Sequence, residues 1–69
     1  MSERYEIVVS GADGPLVRAA FDELEVQPLG DGRLLLAGDL ADQAALHGVL
    51  HRMQGLGLVI VELHQTTDP

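Results

Sequence analysis

From Arg4 the chain reads RYEIVVS, in which Tyr5, Ile7 and Val9 alternate with Glu6, Val8 and Ser10. A period of two marks a strand with one face on a core. GADG follows as a turn, with Asp13 placed to cap a helix and Pro15 in its first turn, where a missing N–H costs nothing. In PLVRAAFDEL the residues Leu16, Val17, Ala20, Phe21 and Leu24 fall on one stripe, which predicts an amphipathic helix. EVQPL predicts a second strand, GDG a hairpin turn and RLLLAG the returning strand. A second helix starts near Asp39 or Asp42, either of which suits the cap, and runs to about Gln54. GLG closes it. LVIVELH predicts the last strand, and QTTDP a frayed tail.

The order strand, helix, strand, strand, helix, strand with short links is that of the ferredoxin-like split β-α-β arrangement. The expectation is an α+β fold in which a four-stranded antiparallel sheet carries two helices on one face. The first and third strands belong in its centre and the other two at its edges. Pro28 agrees, because a residue that cannot donate to a ladder belongs on an edge strand. No repeat, linker or low-complexity segment interrupts residues 1–69, so a single domain is expected.

Sixty-nine residues make a small core, since a domain of about 60 residues buries only about 60% of the surface its unfolded chain exposes. With no cysteine, disulfides, thiol redox chemistry and zinc ribbons are excluded, and a reducing cytoplasm is the expected location. Nothing approaches the roughly 20 apolar residues of a membrane span, so no membrane partner is expected. Eleven acidic against four basic residues give a formal charge of −7. That balance repels phosphate backbones and argues against nucleic acid as a partner.

Candidate chemistry is sparse. His47 and His51 stand four apart on the second predicted helix, a spacing at which two imidazoles can share a metal. They lie roughly 115 and 155 degrees from the centre of the Leu46, Val49, Leu50, Met53 and Leu56 arc, facing solvent. Gly48 occupies the position where a zinc protease carries its glutamate. A solvated helix face is the simpler reading. His64, at the end of the last strand, has no sequence-visible partner to make it a base. No catalytic residue, metal site or cofactor is expected, and the chain does not read as an enzyme. Ser10, Gly11, Asp13 and Gly14 end the first strand and open a helix, a place where small anions can bind, although turns use the same residues for backbone reasons.

Other proteins of this topology test the chain by what they require. Metal-transfer domains need a cysteine pair. RNA-recognition sheets need aromatic residues on the middle strands, where only Tyr5 is found. Acylphosphatase-like enzymes need an arginine in the first loop, which GADGPL lacks. The segment DGPLV, residues 13–17, resembles the first loop of ACT domains, with its Gly and Pro in reversed order. That resemblance implies an amino-acid-sensing site at Ser10, Gly11, Asp13 and Gly14. YEIVVSG together with DQAALHGVLHRMQGLGLVIVEL resembles a family of small uncharacterised bacterial proteins, frequent in actinobacteria, that share a DQAALHG pattern. Ala41 stands where those relatives often have proline, and Phe21 is what the first helix offers where they often have tryptophan. The resemblance implies the ferredoxin-like architecture and brings no activity with it.

The strands carry the most informative expectation. Both helices cover one face, so the other should be polar in a protein that works alone. Yet Val8 points to that open face, with Leu35 or the pair Leu34 and Leu36, and with Leu58 and Ile60 or the set Val59, Val61 and Leu63. The expected function is a small non-catalytic interaction module, dimerising through Val8, Leu35, Val59 and Val61 or docking another protein. The alternative is the ACT-like sensing of a small molecule at the first loop.

Overall fold

The structure is a computed structural model that describes residues 3–11 and 14–66. It is an α+β fold of four strands in one antiparallel sheet and two helices. The strands are β1 (Glu3–Ser10), β2 (Glu25–Gly30), β3 (Arg33–Leu40) and β4 (Val59–Thr66), and the helices α1 (Gly14–Ala20) and α2 (Gln43–Gly55). The sheet runs β2-β3-β1-β4, which leaves β2 and β4 at the edges and Pro28 on an edge strand.

Alternation in β1 sets the core. Tyr5, Ile7 and Val9 are buried together with Leu34, Leu36 and Leu40 of β3, with Val17 of α1 and the following Phe21, and with Leu46, Val49 and Met53 of α2. One cluster therefore joins both helices to the inward residues of the central strands. Gly38, opposite Tyr5, is part of this packing: a Cβ there would lie 2.6 Å from Leu24 Cδ2. Leu24 thus closes over β3 at a point where only hydrogen is accommodated.

Local chemistry explains the turns. Asp31 and Gly32 link β2 to β3 with φ of 55° and 73°, the two positive values that a type I′ hairpin turn needs and that Asp-Gly supplies. Asp42, and not Asp39, caps α2: its side chain accepts the Ala45 N–H at 2.8 Å. At the other end Leu58 N–H donates to Met53 O and Gly57 N–H to Gln54 O, both at 3.0 Å, with Gly57 at φ 77°. This is a Schellman closure, with its apolar contact supplied by buried Leu58 and Met53.

The first helix is shorter than its apolar stripe predicts. In a continued helix the Ala20 carbonyl would accept from Leu24 N–H; instead Arg52 Nη1 donates to it at 3.0 Å, and Leu24 N–H turns to Phe21 O at 3.0 Å. Arg52 also pairs with Glu23 and sits 4.8 Å from the Phe21 ring centroid. A side chain from α2 thus ends α1. Leu16, placed in the stripe by its spacing, is 53% exposed. The expected cap at Asp13 lies outside the described residues.

The tail is shorter than expected. Gln65 and Thr66 continue β4, paired with Tyr5 and Arg4, because their side chains donate to Glu3 and Glu6. Among the described residues no helix is long and apolar enough to cross a membrane.

Candidate functional site

Register decides which side chains share the helix-free face. Val8 pairs with Leu35 on one side and Glu62 on the other, and Gln27 lies beyond Leu35. Glu6 lies between Ala37 and His64, Arg4 between Asp39 and Thr66, and Ser10 between Arg33 and Val59. The face is therefore mostly polar, with an apolar row through its middle. Val8 is only 8% exposed even in the single chain and Leu35 is half-buried, so flanking side chains already cover much of that row. Arg4 reaches Glu25 at 3.6 Å across the face, and His64 Nε2 lies 3.3 Å from Glu62 on its own strand.

Neither of the two alternatives for the last strand holds along its whole length. Consecutive β1 residues Val8 and Val9 pair with Glu62 and Ile60, so Val61 is the extra residue of a β-bulge. The bulge switches the alternation: Ile60 and Leu63 both pair with inward residues of β1, while Val59 pairs with outward Ser10. Leu63 is accordingly on the helix side of the sheet, yet it is 44% exposed, because helix cover stops short of this edge. With Val59 at 60% and Val61 at 46%, β4 carries three of the large apolar residues that the fold leaves exposed. The structure brings Val8 and Leu35 into direct apposition and sets Val59 and Val61 on the neighbouring edge. No glycine or proline in VIVELHQT signals the bulge, and strict alternation offers only registers that keep Val59 and Leu63 on one side.

The first loop offers less. Ser10 ends β1 opposite Arg33, Gly11 takes φ 77°, and Gly14 begins α1; Asp13 lies outside the described residues. His47 and His51 are exposed on α2, as their place on its outer face predicts. Among the described residues no three His, Asp or Glu side chains gather in a metal-binding group.

A cavity of about 260 Å3 opens at one end of the sheet, lined by Glu3, Tyr5, Leu40, Ala41, Asp42 and Gln43. The Tyr5 hydroxyl donates to Glu3 at 3.2 Å and accepts from Gln43 at 3.3 Å, and Gln65 also donates to Glu3. Burial, and then the Glu3 carboxylate beside it, raise the Tyr5 pKa above its ordinary value. These groups satisfy one another and close the end of the core. Glu23 is held below the usual carboxylate range, first of all by the Arg52 hydrogen bond.

Fold and surface together define a small α+β domain with three exposed apolar side chains, Val59, Val61 and Leu63, along one sheet edge. The chain belongs to the family described as Domain of unknown function (DUF8691), whose model matches residues 4–64. No curated protein and no solved structure matches it.

Proposed function

We propose that this chain is a small non-catalytic interaction module of the cytoplasm, with a ferredoxin-like arrangement of its six elements, that works by binding a second copy of itself. One observation carries the reading: Val59, Val61 and Leu63 stand exposed along the edge strand β4, Val59 on the open face with Val8 and Leu35 and Leu63 on the helix side. Burying this surface would supplement a core that is small for a free-standing domain. A two-fold contact uses the same patch twice, so a single charge placed in it acts twice.

Light scattering on the purified chain checks this directly. The wild type is expected at twice the chain mass at micromolar concentration, and Val59→Asp, a change at an exposed position, is expected to shift it toward the single-chain mass with its circular dichroism unchanged. A wild type that stays at the single-chain mass overturns the reading.

A further inference from the structure

The geometry points to a specific mode of self-association: two copies join edge to edge through β4, antiparallel about a two-fold axis, with Leu63 facing Leu63 and Glu62 of each copy facing His64 of the other. This rests on the self-association reading and names its interface.

The two edges of the sheet are built differently. β2 has six residues, contains Pro28, and is broken by a register shift between Pro28 and Gly30. Proline, irregularity and shortness are the devices that stop an edge from pairing with another chain. β4 has eight residues, with neither proline nor lysine, and its one irregularity at Val61 leaves Glu62–Thr66 in regular register with β1. Its outer backbone N–H and C=O groups form a row that a further strand would satisfy.

The register follows from symmetry and side-chain chemistry. Around a two-fold axis normal to the sheet, opposite residues share a face, so the regular segment is centred on a single residue facing its own copy. Centring on Glu62 sets two carboxylates against each other, which is destabilising for like charges directly opposite. Centring on His64 places the two imidazoles together and Leu63 against Gln65. Centring on Leu63 joins two half-exposed leucines and produces two Glu62 and His64 pairs of complementary chemistry. Of these three registers it alone matches both Leu63 and the Glu62 and His64 positions with suitable partners.

The chain has no cysteine, so single introduced cysteines report the interface without background. Leu63→Cys is expected to give a disulfide-linked dimer on mild oxidation, since directly opposite residues in an antiparallel pair bring their Cβ atoms to about 4.5–5.5 Å, close to disulfide geometry. Gln27→Cys, on the blocked edge, is expected to stay single. Leu35→Cys separates the modes: cross-linking there with none at position 63 overturns edge pairing while leaving self-association standing. No cross-link at either position, with a wild type of single-chain mass, overturns both. For the register, Glu62→Lys is expected to weaken the dimer severalfold by light scattering. Exchanging the two residues, Glu62→His with His64→Glu, is expected to restore it, and failure to do so overturns the register.

Discussion

Tyr5 is the one tyrosine of a chain without tryptophan, so its ionisation is directly visible in absorbance. The core buries its ring, and its hydroxyl is committed to Glu3 and Gln43. Deprotonation in the folded state would set a phenolate beside a carboxylate in a poorly solvated place, and both effects raise the pKa. In the unfolded chain the value returns to about 10. The folded form thus holds its proton where the unfolded form has lost it. Stability from this group is full below about pH 10 and falls as the pH climbs toward the raised value. Titration at the tyrosinate wavelength is expected to show ionisation above that of free tyrosine, merging with it in denaturant. Tyr5→Phe should remove the alkaline loss of stability while leaving the acid limb unchanged.

The elements differ in how far their limits follow from local sequence. In α2 they do: Asp42 and the Gly57 closure are local signals read where they occur. Asp42→Ala is expected to cost about 0.5–2 kcal/mol in a denaturant melt, with Asp39→Ala near neutral because Asp39 makes no cap. In α1 they do not, because the residue that ends the helix, Arg52, comes from another part of the chain. No window around Ala20 contains that information. The inward set Tyr5, Ile7 and Val9 was legible because alternation survives any neighbour, and so was the placement of Pro28 on an edge. The bulge at Val61 was not, since backbone pairing with β1 creates it and no residue type announces it. The consequence for the candidate surface is direct: from sequence Val8 faces outward with Leu35 or Leu34 and Leu36, and with Leu58 and Ile60 or Val59, Val61 and Leu63, and only the register selects Leu35 and Val59 and turns Leu63 to the helix side.

At the scale of the whole molecule, charge and shape oppose each other. Each copy carries a formal −7, so two copies brought together repel, while the apolar side chains of β4 favour contact. Salt screens the first effect, with a Debye length of about 10 Å at 0.1 M, and leaves the second intact. The proposed dimer is therefore expected to tighten as sodium chloride is raised, measured by light scattering along a dilution series; weakening with salt would mean that ion pairs dominate the contact. The same sheet also bears on the order of events in time. β1 lies in the middle of the sheet, yet one of its neighbours is the last strand of the fold, which pairs Arg4 with Thr66. Until β4 arrives, β1 is itself an open edge. Closing so long a loop must precede its reward, which slows folding relative to local pairing. In a chain still emerging from synthesis β3 is made before β4, so the other side of this central strand waits for its partner. In that interval the strand most able to capture a neighbouring chain is the one the finished protein hides.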